Sequence, residues 1–200
     1  IVFGDWSSDV CSSDLRKILF SYCRHFPGVF DLPDKLDKSQ VPEEAFYHLY
    51  EVNADGSGLR RLTHGKHDDV DACYLPNGQI AFLSTRRAQS ARCAATGARQ
   101  GADIYVRCGG SPYRPVAVSP LHVMAADGGN IRELSPFEMF EWSPNVDADG
   151  RILYARWDYV DRDAMPYMGL WSTLPDGTGA RALRSEGRRV GKAFRSRVSR

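Results

Sequence analysis

The sequence predicts an all-β chain, a partial β-propeller of about two and a half to three blades of antiparallel strands with an inserted loop at about 88–119. Three observations carry that prediction. A stretch of 39 residues, 49–87, recurs at 121–159 without a gap, at a constant offset of 72. Asx-Gly dipeptides stand between short runs rich in Ile, Leu, Val, Tyr and Phe, which is the pattern of hairpins whose turns need φ > 0. No segment sustains a helical period. An apolar fraction of 42% against 26% charged residues is ordinary for a chain that buries a core.

The elements follow in order. Residues 1–15, with "DWSSDVCSSDL" at 5–15, resemble one translated frame of a short-read sequencing adapter, so Cys11 is set aside. "KILFSYCR" at 17–24 reads as a strand and matches "QIAFLSTR" and "RILYARWD" further on. The Pro- and Asp-rich stretch 25–45 is a connection. "HLYEVNADG" is a second strand ending in a turn, and "LRRLT" a third. "GQIAFLS" is continuously apolar, as for a strand covered on both faces. The Ala-, Gly-, Ser- and Arg-rich residues 88–119 are a loop or hairpin outside the blade. The second copy repeats the order: Asp55-Gly56 falls on Asp127-Gly128, Leu62-Thr63 on Leu134-Ser135, and Asn77-Gly78 on Asp149-Gly150. A third copy opens at "LWSTLPDGTGARAL", where Asp176-Gly177 follows Asp127-Gly128 by 49 residues. A unit of three or four strands at this spacing is that of a propeller blade.

The net charge is +1, but residues 184–200 hold seven Lys or Arg and one Glu. Such a tail would suit nucleic acid. "RSEGRRVGK" is close to a frame of the partner adapter, however, and no nucleic-acid partner is expected. The remaining residues are slightly acidic. No apolar run approaches the roughly 18 residues that cross a membrane as a helix, and no signal-peptide pattern is seen. No membrane partner is expected. The organisation is therefore an adapter-like stretch at 1–15, a partial propeller over 16–183 and an adapter-derived tail at 184–200. A closed ring needs at least four blades, so residues 16–183 by themselves are expected to be marginal or aggregation-prone, and the remaining blades and other domains of a parent chain are the expected partners.

The pattern "D-G-x-x-x-R-x-L-T … P-x-G-x-I-x-F-x-S-x-R" resembles TolB-type, WD-repeat-like propeller repeats. The longer stretches "HLYEVNADGSGLRRLTHGKHDDVDACYLPNGQIAFLSTRR" and "EWSPNVDADGRILYARWDYVDRDA" resemble the hydrazine synthase alpha-subunit middle-domain family. The resemblance covers about 16–183. It implies a periplasmic or secreted bacterial protein, and function only weakly, since a fold does not fix chemistry. In hydrazine synthase the alpha subunit carries c-type haems outside the propeller. Covalent haem needs Cys-x-x-Cys-His, which this chain lacks, so no cofactor is expected in this fragment.

Several groups of residues could carry chemistry. "THGKHDDVDAC" offers His64, His67, Asp68, Asp69, Asp71 and Cys73 as donors of the types zinc accepts. The alternative is a blade-connecting loop, and only Asp69 has an acidic counterpart, Glu141, in the second copy. Asp69, Glu141, Arg156, Asp158 and Asp161 make either a ligand-facing rim or inter-blade ion pairs. In an exported protein Cys93 and Cys108 can close a disulfide, contributing about 3 kcal/mol by the loop-entropy model, or stand as two thiols. Cys23 and Cys73 read as small buried apolar residues. Catalytic residues are not expected: no Gly-x-Ser-x-Gly elbow is present, and His25, His48 and His122 read as satisfied structural groups. The function expected is a non-catalytic binding or scaffold module of a larger protein. The alternative is the propeller portion of a redox or hydrolytic enzyme whose catalytic residues lie outside this stretch.

Overall fold

Asx-Gly turns of one build set the strand lengths. In the structure, a computed structural model, residues 10–11, 16–25, 38–87, 89–92, 104–107, 116–137, 140–157 and 168–183 are described. At Asp55, Asp127 and Asp176 the carboxylate Oδ1 accepts the backbone N–H two residues on, at 2.9, 2.8 and 2.8 Å. The glycine that follows each aspartate has φ of +84°, +90° and +89°. The side chain closes the turn and the glycine supplies the left-handed step.

The first sheet holds β1 (Val10–Cys11), β2 (Lys17–Tyr22), β3 (His48–Asn53) and β4 (Arg60–Arg61), in that spatial order. A 3₁₀ turn, Glu43–Ala45, leads into β3. The second sheet opens with β5 (Asp69–Tyr74) and β6 (Ile80–Ser84). The chain then leaves it for β7 (Gln89–Arg92), β8 (Ile104–Arg107) and β9 (Val116–Ala117), a separate three-stranded sheet in which β7 and β8 are parallel. It returns with β10 (Leu121–Met124) and β11 (Arg132–Glu133), giving the order β11-β10-β6-β5. The third sheet runs β12 (Glu141–Val146), β13 (Ile152–Trp157), β14 (Met168–Thr173) and β15 (Arg181–Ala182). The fold is thus all-β, and the described residues form three four-stranded antiparallel blades and one accessory sheet.

The core lies between blades. Leu19, Leu49, Leu62, Ile80 and Phe82 join the first blade to the second, and Ala81, Leu83, Leu121, Ile152 and Tyr154 join the second to the third. Strand β6 feeds both clusters, because successive side chains point to opposite faces. This is why all five of its residues are buried.

Several expectations change in detail. Residues 1–15 are expected to stand off the sheets, yet Val10 and Cys11 pair with Leu19 and Ile18. The edge of β2 offers unpaired N–H and C=O groups that an extended segment can satisfy. The insertion supplies a sheet of its own rather than a loop or single hairpin. The expected third strands shrink to two residues each, β4 and β11. The 39-residue repeat is also out of phase with the blades: each copy spans the second half of one sheet and the first half of the next.

Candidate functional site

Antiparallel order sorts the connections by face. The links between first and second strands (75–79, 147–151) and between third and fourth strands (54–59, 125–131, 174–180) all lie at one end of the blades, and all contain an Asx-Gly turn. The links between second and third strands (23–47, 85–120, 158–167) and between blades (62–68, 134–140) all leave from the opposite end. The accessory sheet also belongs to one of those long links. The tight turns thus gather at one end of the blades and the longer connections leave from the other, the kind of end at which propellers place binding groups.

Beneath that face lie the recurring acids. Asp69 begins β5 and is fully buried. Its Oδ1 accepts the Ser84 hydroxyl at 2.6 Å and its Oδ2 accepts Arg86 Nη2 at 2.7 Å. Thr63 also bonds it, and burial, opposed by Arg86, pushes its carboxyl above the usual range. His48, 2% exposed, places Nδ1 4.0 Å from Asp69 Oδ2, while its Nε2 lies 3.2 Å from the Glu43 carbonyl. Burial holds this imidazole below its ordinary pKa.

Glu141 occupies the matching position at the start of β12 and is also fully buried. Its Oε2 accepts the Leu121 N–H and its Oε1 the Ser135 hydroxyl, both at 2.6 Å. Burial pushes its carboxyl up to about 7. The two sites differ by one methylene. Glu141 reaches the backbone of the preceding blade directly, whereas the shorter Asp69 bonds Thr63, whose Oγ1 accepts the equivalent amide of Leu49 at 3.0 Å. Each acid ties the first strand of a blade to the third strand and following link of the blade before it.

Arg156 lies among aromatic rings, its guanidinium carbon 3.3 Å from the Phe137 centroid and 4.0 Å from that of Trp171. Phe140 stacks on Trp142 at 5.5 Å and lies 6.3 Å from Trp157. A cation held over two rings is favoured by their quadrupoles.

The candidate metal ligands scatter. His64 is exposed. His67 has its Nδ1 3.4 Å from Lys38 Nζ, and burial together with that ammonium lowers its pKa to about 4. Asp71 faces the third blade, its Oδ2 accepting the Ser143 N–H at 3.2 Å. Cys73 is buried in the core, its thiol pushed up to about 12. Among the described residues no three His, Cys, Asp or Glu side chains converge as a metal site. Asp158, Asp161, Cys93 and Cys108 lie outside the described residues. Cys23, expected buried, is half-buried, and its thiol donates to the carbonyls of His25 and Glu44 at 3.2 and 3.3 Å. His122 sits in the core with Nδ1 2.8 Å from the Pro120 carbonyl, its pKa lowered to about 4 by burial.

Sequence reasoning missed Thr63, Ser84, Arg86 and Ser135 as partners of the acids. Thr63 and Ser135 could have been found, being 72 residues apart beside aligned leucines. Ser84 is fully buried and its hydroxyl is spent on Asp69, so it serves as a structural donor to that carboxylate.

No family model matches the chain, and no curated protein matches it by sequence. Solved structures do. A TolB-like protein from Agrobacterium tumefaciens superposes with a TM-score of 0.56 at 15% identity, over 90% of this chain and 49% of that one. Hydrazine synthase from Kuenenia stuttgartiensis gives 0.59 at 15% identity, over 92% of this chain and 26% of that one. An oligogalacturonate lyase in complex with manganese gives 0.50 at 15% identity, over 89% and 41%. The chain therefore spans half or less of the length of these structures. At such identities the likeness establishes the fold, a partial β-propeller.

Proposed function

We propose that the chain is the propeller portion of a larger exported bacterial protein and acts there as a non-catalytic binding or scaffold module. Its ligand is met by the face that carries the long connections. The observation supporting this reading is the division of labour between faces and acids. The longer connections leave from one end, while the recurrent buried acids beneath that end are engaged as ties between strands. A periplasmic or secreted location and membership of the hydrazine synthase alpha-subunit middle-domain family follow from the motif resemblance, and the likeness to TolB-type and hydrazine synthase structures supports both.

The experiment is an array screen of the full-length parent protein against glycans, oligogalacturonides included, and peptides, followed by turnover assays on whatever is retained. Retention without turnover supports the module. Turnover, or a c-type haem spectrum, would favour an enzyme with its catalytic groups elsewhere in the parent.

A further inference from the structure

Two inter-blade joints are present, and they are built alike. Leu49 and Leu121, equivalent residues on β3 and β10, are 0% exposed because the next blade covers them. At each joint an arginine of the fourth strand reaches the turn of the next blade. Arg60 Nη2 donates to the Ala126 carbonyl at 2.8 Å, and Arg132 donates to the carbonyls of Asp176 and Pro175 at 3.2 and 3.1 Å. The glycine of that turn sits on a leucine carbonyl of the preceding blade. A Cβ on Gly128 would lie 2.3 Å from the Leu62 oxygen, and one on Gly177 3.0 Å from that of Leu134.

The third blade carries the same half-joint, and among the described residues no further blade covers it. Leu170 is the counterpart of Leu49 and Leu121: Leu183 N–H donates to its carbonyl at 2.8 Å, as Leu62 does to Leu49 and Leu134 to Leu121. Yet Leu170 is 50% exposed, beside Met168 at 54% and Leu174 at 37%. Arg181 stands where Arg60 and Arg132 stand. The first blade carries the other half. Its Asp55-Gly56 turn has the φ of the docked turns, and nothing lies within 4 Å of a Cβ built on Gly56.

We propose that the exposed face of the third blade docks the first blade of a second copy of this chain, turn first. Leu170 and Leu174 are then covered as Leu121 is, and Arg181 meets the carbonyls of the Asp55-Gly56 turn. Such a contact is heterologous, so it closes into a ring or extends into a fibre. Two copies bring six blades, within the range of closed propellers. This rests on the chain being a propeller portion, and not on whether that propeller binds or catalyses.

The test is sedimentation velocity of the full 200-residue chain across a concentration series. The chain is expected to assemble into dimers or larger species. L170E, at a half-exposed site where the fold tolerates it, and G56V, at the docking turn, should each abolish assembly. G78V imposes the same strain, at φ +80° in a turn with nothing within 4 Å and outside the joint, and should assemble normally. Circular dichroism of each variant reports an intact β fold. A natural chain that stays monomeric throughout overturns the proposal. So does assembly that survives L170E, and loss with L170E but not with G56V overturns the choice of the first blade as partner. None of these outcomes depends on the ligand screen.

Discussion

Gly128 rests on the carbonyl of Leu62 so closely that a methyl group in place of its hydrogen would come within 2.3 Å of that oxygen. The second blade's turn is thereby seated on the backbone of the first. Glycine is needed twice here, for φ of +90° and for the approach itself.

A graded glycine series follows. Gly128→Ala meets backbone as well as strain and should destabilise by about 1–3 kcal/mol more than Gly56→Ala, which meets only strain. Denaturant midpoints of the two variants provide the comparison. Equal losses would remove the seating role from Gly128.

Glu141 makes stability depend on pH. Its folded pKa is raised from 4.5 to about 7 by burial, so folding favours the protonated form. The advantage is fully present below about pH 4.5 and is lost as pH rises through 7. Relative to Glu141→Gln, which stays neutral, the natural chain should lose about 3 kcal/mol between those limits. Unfolding at a series of pH values reads this difference. A constant gap between the two proteins would contradict it.

Asp69 is bonded directly to a cation, Arg86 Nη2 at 2.7 Å. Asp69→Ala strands Arg86, Ser84 and Thr63 and should cost about 3–5 kcal/mol. Ser84→Ala removes one neutral donor to Asp69 and the acceptor of the Arg86 backbone N–H, and should cost about 1–2 kcal/mol. Chemical denaturation of both variants checks the ranking, which would fail if the two were equal.

Thiol chemistry separates two cysteines. Cys73 is buried with its pKa near 12, so its thiolate is scarce at neutral pH. Native alkylation followed by peptide mass mapping should label Cys23 and leave Cys73 unmodified until the chain is denatured. Early labelling of Cys73 would mean that the second and third blades part readily.

What the sequence made legible was local chemistry and its recurrence. The Asx-Gly turns are readable because the residue that closes the turn and the one that permits φ > 0 are adjacent. The 72-residue offset paired Asp69 with Glu141 before either was seen to be a tie. The blade phase was hidden, since a repeat has no intrinsic origin: the copy beginning at Leu49 starts midway through a sheet. Arg86 was hidden because it acts across strands from the turn after β6. The bulges at Asp71 and Ser143, with φ of 51° and 50°, were hidden because neither residue is a glycine. The β7–β9 sheet includes a parallel pair, which leaves no hairpin signal.

Hydrogen exchange of the full-length parent, with and without the component retained on the arrays, shows whether ligand is met at the end from which the long connections leave. Protection is predicted at the inter-blade links 62–68 and 134–140 and around Thr85–Arg87, with the turns at 54–59, 125–131 and 174–180 unchanged. Protection confined to those turns would place the ligand on the opposite face and contradict the proposed function.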